Sequence, residues 1–117
     1  MKQVAALICG LLALGATEIT FGDDALWTTK VTRIMSDESK YGGCAAYLSV
    51  TAADQGLSCT SKFVTFDCLG QTRSKSTGNT FLQGAQLALI TGNDVKIRAN
   101  DDTTINNMCL VTRIDNY

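Results

Sequence analysis

Three segments of the chain alternate apolar and polar residues with the period of two of a half-buried strand, and a fourth repeats apolar residues at helical spacing. Cys44 to Val50 (CAAYLSV) sets Cys44, Ala46, Leu48 and Val50 on one face against Ala45, Tyr47 and Ser49 on the other. Lys62 to Leu69 (KFVTFDCL) places Val64, Phe66 and Cys68 opposite Phe63, Thr65 and Asp67, and Asp94 to Asn100 (DVKIRAN) places Val95, Ile97 and Ala99 opposite Lys96 and Arg98. Two further stretches, Trp27 to Met35 (WTTKVTRIM) and Met108 to Ile114 (MCLVTRI), are rich in β-formers and free of glycine, and predict a first and a last strand. Between the third and fourth strands, Phe81, Leu82, Ala85, Ala88 and Leu89 predict an amphipathic helix over Thr80 to Thr91, with Thr80 as its N-cap and Gly92 as its stop. Gly84 weakens that helix by about 1 kcal/mol against alanine unless another backbone packs closely on it.

The connections are polar. SDESKYGG, TAADQGLSCTS, the stretch from Gly70 to Gly78 (GQTRSKSTG), and Asn100 to Asp102 with the threonines after them predict turns and loops. Three strands, one helix and two strands is the order of a five-stranded OB-type barrel, a closed or nearly closed sheet, here as a single domain over residues 23–117. The tetrapeptide Val-Thr-Arg-Ile occurs at Val31 to Ile34 and again at Val111 to Ile114, with no repeat of useful period around it.

The N-terminus changes the count of what folds. Lys2 precedes an uninterrupted run of 13 apolar or small residues, Val4 to Ala16, followed by Thr17 and Glu18. That is the pattern of a signal peptide, and the run is short of the ~20 residues of a membrane-spanning helix. Small residues allow cleavage after Gly15, after Ala16 or nearer Gly22, and Cys9 leaves with the leader. The whole chain of 117 residues carries a net charge of −1; without residues 1–16 it has nine basic and eleven acidic residues, a net −2.

Cys44, Cys59, Cys68 and Cys109 remain. An even number in a small exported chain predicts two disulfides. No pair has C-x(2–4)-C spacing and no histidine completes a set, which excludes a zinc knuckle. Four cysteines allow three connectivities. An antiparallel pairing that sets Leu48 against Val64 and Ala46 against Phe66 also sets Cys44 against Cys68, and favours Cys44–Cys68 with Cys59–Cys109.

With no histidine, Ser-His and Cys-His nucleophile pairs, imidazole metal sites and the usual proton shuttle near pH 7 are excluded. Balanced charge gives no basic footprint for nucleic acid. Lys96, Arg98, Arg33 and Arg113 would form a basic groove only if the fold brought them together. Asp101 and Asp102 beside Asn100 and Asn106 lack the spacing of a calcium loop and fit a turn. An acid-base pair such as Asp67 with Asp115 has no supporting motif. The chain is expected to be non-catalytic, with no metal and no cofactor.

The last forty positions, including FLQGAQLALITGNDVKIRANDDTTINNMCLVTRIDN, resemble the helix, strand, turn and strand of the B subunits of pentameric AB-type bacterial toxins. The stretch from Gly43 to Leu69, with a cysteine opening one strand and FVTFDCL closing the next, is similar to the cysteine-bearing hairpin of the pertussis-like and subtilase-like members. The resemblance spans most of the chain after the leader and rests on element order rather than a signature motif. It implies a secreted or periplasmic homo-oligomer, a pentameric ring, that binds a surface glycan or protein receptor, acts beside an A subunit and has no membrane span. No sugar-binding residue can be carried over one for one. From the sequence itself the candidate ligand-binding residues are Trp27, Tyr41 and Tyr47, which offer flat rings with polar edges; Tyr47 falls on the outward face of its strand. The other class of function is a secreted structural or inhibitor-like domain with a protein partner.

Overall fold

The computed structural model describes residues 23–117. The leader, its cleavage site and Cys9 lie outside the described residues. Six strands and one helix follow in the order β1 (Asp24–Thr29), β2 (Val31–Ser36), β3 (Cys44–Leu48), β4 (Phe63–Thr65), α1 (Lys75–Thr91), β5 (Val95–Ile105) and β6 (Met108–Asn116). They form one sheet in the order β1-β5-β6-β4-β3-β2, in which β4 and β6 run parallel and all other neighbours antiparallel. The fold is mainly β with one helix, as the periodicities predict. The expected closed or nearly closed five-stranded sheet differs in detail: among the described residues there are six strands, and the hydrogen-bond ladder is open between β1 and β2.

The extra strand arises at Lys30. The run from Trp27 to Met35 changes ladder partner there, from β5 (Thr29 opposite Val95) to β3 (Val31 opposite Leu48). The backbone of Lys30 is held through the change by Ser49, whose N–H donates to the Lys30 carbonyl at 3.0 Å and whose Oγ accepts from the Lys30 N–H at 3.1 Å. The two edges of the sheet are thus consecutive in the chain.

The third expected strand is also shorter than predicted. Asp67 has φ 59°, in the left-handed region, and Phe66 and Asp67 leave the ladder after only three paired residues. The observed register sets Ala46 opposite Val64 and Tyr47 opposite Phe63, two residues from the expected one. A shift of two keeps every side chain on its predicted face. Cys44–Cys68 and Cys59–Cys109 are the two disulfides, with Cα separations of 5.6 and 5.5 Å.

The helix begins well before Thr80. Ser74, in extended conformation, caps it by accepting from the Thr77 N–H, while Thr80 lies inside and donates its hydroxyl to the Ser76 carbonyl at 2.8 Å. Gly92 ends it at φ 73°, as expected. Gly78 brings the first turns onto the chain leaving β4, where a Cβ would stand 2.6 Å from the carbonyl oxygens of Phe66 and Asp67. Gly84 lies against the Ile114 and Asn116 side chains, and the Asn116 amide donates to its carbonyl at 2.9 Å. Ala85 and Ala88 join Trp27, Leu48, Val64, Phe66, Val95, Ile97 and Val111 in the core.

The expected turn at Asn100 to Thr104 is part of β5. Asp101 to Thr103 bulge between the pairs Asn100–Leu110 and Thr104–Cys109, and the reversal comes at Asn106 and Asn107, both with positive φ, the two-residue turn that matches strand twist. Among the described residues no helix is long and apolar enough to cross a membrane.

Candidate functional site

Strand parity and the register together build one aromatic and cationic row on the outer face of β2-β3-β4. Ala46 and Leu48 point to the core, so Tyr47 between them points away. Tyr47 pairs with Arg33 on β2 and with Phe63 on β4. The Tyr47 and Phe63 rings meet edge to face with centroids 5.1 Å apart, and the Arg33 guanidinium carbon stands 5.5 Å from the centre of the Phe63 ring. Such contacts contribute about 0.5–1.5 kcal/mol for the ring pair and about 0.5–1 kcal/mol for an exposed cation on a ring. Both rings are half-buried and Arg33 is exposed.

The next row on that face is covered. Thr65, paired with Ala45 and Leu110, is buried beneath the turn Tyr41–Gly43, and its hydroxyl donates to the Tyr41 carbonyl at 3.0 Å. Tyr41 has φ 60°, and a Cβ on Gly42 would collide with Thr65 Oγ1. Ala45, Thr65, Met108 and Leu110 are therefore buried on the side of the sheet away from the main core. The turn that carries Tyr41 covers the same face of the sheet from which Tyr47 projects. Trp27 is not on that face: it is 6% exposed within the core, and its indole N–H donates to the Val50 carbonyl at 2.9 Å. Arg33 and Phe63 complete the row; the sequence offers Arg33 only for a basic groove and gives Phe63 no role, although its outward parity is a signal that finds it.

Asp67 and Asp115 are each held by partners of the fold. Buried Asp67 accepts from the Gln71 N–H at 2.9 Å, the Thr72 N–H at 2.6 Å and the Thr72 hydroxyl at 2.7 Å, which fixes the loop before α1. Burial pushes its carboxyl up; the Thr72 hydroxyl, the two N–H groups and the Arg73 charge outweigh it and hold the group below its ordinary value. Arg73 stands 5.3 Å from the centre of the Phe81 ring. Asp115 lies on β6 with both oxygens on Arg113, at 3.0 and 2.9 Å. Among the described residues the hydrogen bonds of Asp67 go to Gln71 and Thr72 and those of Asp115 to Arg113.

Lys96, Arg98 and Arg113 do converge on the outer face of β5-β6, where Arg98 opposes Arg113 and Lys96 opposes Asp115, but Arg33 is on β2 and Asp115 offsets Arg113. Asp101 is a structural acceptor for the N–H groups of Ser58 and Asp23. Among the described residues no group of three or more His, Cys, Asp or Glu side chains is placed to hold a metal ion.

What the Arg33–Tyr47–Phe63 row can do is bind. An aromatic edge offers apolar contact to the flat face of a ring, the Tyr47 hydroxyl is donor and acceptor, and the guanidinium donates in a planar fork to paired oxygens. Comparison with known protein families, with curated proteins and with solved structures finds no match.

Proposed function

We propose that this chain is an exported, non-catalytic binding module that takes a surface glycan on the Arg33–Tyr47–Phe63 row. The observation that carries the reading is the row itself: two half-buried rings locked edge to face beside an exposed guanidinium, on a face whose neighbouring row is already covered. A sugar presents an apolar ring face edged with hydroxyls, and that combination matches the half-buried rings flanked by the Tyr47 hydroxyl and the Arg33 guanidinium.

Export is supported by the leader pattern and by two disulfides, which persist in oxidising compartments; a secreted or periplasmic location follows. An OB-type barrel is supported by the strand order. With β1 and β2 counted as one strand bent at Lys30, the order becomes that of five strands whose first pairs with the second and the fourth, with the helix between the third and fourth. This is the arrangement that the likeness to AB-type toxin B subunits implies, and with it come a homo-oligomer, a pentameric ring and an A subunit.

Exposed apolar side chains on the last turns of α1 favour the oligomer, and equally a protein-interaction domain with another partner. Ile90 is 82% exposed and Leu87 53%, three residues apart and so on one face of the helix, with Leu89 beside them.

Glycan-array binding by the purified exported protein tests the proposal, with Tyr47→Ala and Phe63→Ala as variants. Binding that falls at least tenfold in both variants, with the thermal transition retained, supports it. No glycan bound by the native protein, together with light scattering that finds a strict monomer, overturns it in favour of the protein-interaction domain.

A further inference from the structure

Two rows of side chains cross the outer face of β1-β5-β6. Leu26, Arg98 and Arg113 stand opposite one another in the first, and Thr28, Lys96 and Asp115 in the second. The residues between the rows, Trp27, Ile97 and Ile114, belong to the core or pack against it, so both rows project away from it. Leu26 is 42% exposed, and Thr28, Arg98 and Arg113 are exposed with it.

The charges on this face are not balanced. Arg98 directly opposes Arg113, which brings their Cβ atoms to about 5 Å and sets like charges side by side, a pairing that weakens a sheet. Asp115 gives both of its oxygens to Arg113, at 3.0 and 2.9 Å. The ion pairs of the described residues, Lys30–Asp94 and Arg113–Asp115, include neither Arg98 nor Lys96. Asp24 lies one row beyond, opposite Asn100. Across the two rows three cations meet one carboxylate, in a chain whose acidic residues outnumber its basic ones.

We propose that this face is a second binding surface, for a polysaccharide bearing sulfate or carboxylate groups, with one such group held between Arg98 and Arg113 and the next against Lys96. It is separate from the Arg33–Tyr47–Phe63 row, which crosses β2-β3-β4. The choice of a polysaccharide as the source of the anions rests on the exported reading proposed above. An oxyanion between Arg98 and Arg113 accepts from two planar forks and relieves the repulsion that the free protein carries. Leu26 adds apolar contact for a sugar ring, and Thr28 and Tyr117, whose hydroxyl oxygens are 3.4 Å apart, add polar groups at the edge. On the two rows no aromatic ring stands between the cations, where a nucleic-acid strand would need one for base stacking.

The test is binding of the purified exported protein to immobilised heparin, polygalacturonate and neutral dextran over a series of salt concentrations. The native protein should bind one or both polyanions and not dextran, more weakly as salt rises. Heparin carries both groups and polygalacturonate only carboxylates, so binding to heparin alone assigns the sulfate. Arg98→Gln should weaken binding at least tenfold and lower the slope of log affinity against log salt by about one. Its thermal transition should be unchanged or raised, because the like-charge pair is gone. Lys96→Gln should act in the same direction on binding, and Tyr47→Ala on the other row should leave polyanion binding as it is. No polyanion bound by the native protein at low salt overturns the inference and leaves the glycan row standing. Binding that Arg98→Gln and Lys96→Gln leave unchanged, or single-stranded DNA bound as tightly as the polysaccharide at the same salt, also overturns it.

Discussion

The indole N–H of Trp27 donates to the Val50 carbonyl at 2.9 Å, joining the edge strand β1 to the segment that leaves β3. Thr29 reinforces the same point: its Oγ1 accepts from the Val50 N–H at 2.9 Å and donates to the Val50 carbonyl at 3.2 Å. The edge strand β1 is stitched there to the exit of β3 by side chains where no ladder exists.

Trp27→Phe should therefore cost about 1 kcal/mol, since it removes one hydrogen bond while the Thr29 hydroxyl still serves the Val50 carbonyl. Trp27→Ala also empties core volume and should cost about 3–5 kcal/mol. Urea unfolding of the two variants separates the seam from the packing; no loss in Trp27→Phe would show that the hydrogen bond contributes nothing of its own.

The disulfides should differ in weight. Cys59–Cys109 closes a sequence separation of 50 and Cys44–Cys68 one of 24. The chain-entropy relation gives about 4.1 and about 3.4 kcal/mol respectively. Paired serine replacements, compared by denaturant midpoint, should thus rank Cys59/Cys109 as the costlier loss.

Asp67 should make the fold acid-sensitive. Its folded pKa lies below the unfolded value of about 3.9, so its stabilisation is complete above that value and is lost as pH falls through the folded pKa. Asp67→Asn turns an amide NH2 toward either the Gln71 N–H or the Thr72 N–H and leaves that donor unmet, a cost of about 1–3 kcal/mol at neutral pH. The thermal transition of the variant, followed from pH 6 to pH 2, should fall less steeply than that of the native protein.

Gly78→Ala should destabilise although alanine is the better helix former by about 1 kcal/mol. The new methyl would press on two backbone carbonyls that have no room to yield, which costs about 1–3 kcal/mol in a packed site. A rise in melting temperature would mean that α1 shifts freely against the exit of β4.

Much of this was legible in the alternation of residues. The faces of Tyr47, Phe63, Val64 and Ile97 and the helix stop at Gly92 follow from local spacing alone, while the preferred cysteine pairing rests on a register two residues from the observed one, which still leaves Cys44 and Cys68 on one face. What escaped depends on partners distant in sequence. No local cue marks Lys30 as the place where a uniform β-rich run exchanges β5 for β3, and the polar residues Asp101 to Thr103 look like a turn until their bulge in β5 is seen. The helix start was missed because SKST reads as loop, although Ser74 caps it. Trp27 reads as a ligand platform in the sequence because aromatic type says nothing about which side of a sheet closes over it.

The pairing of β1 with β5 has a consequence for the order of events on a growing chain. β1 is made first, yet its ladder partner, with Asp24 opposite Asn100, is among the last segments made. β4 likewise waits for its parallel partner β6. The β2-β3-β4 meander can assemble early, while β1 stays an unsatisfied edge until nearly the whole polypeptide is available. Acquisition of the native state is therefore post-translational, slow for so short a chain, and open to a holding chaperone in the interval.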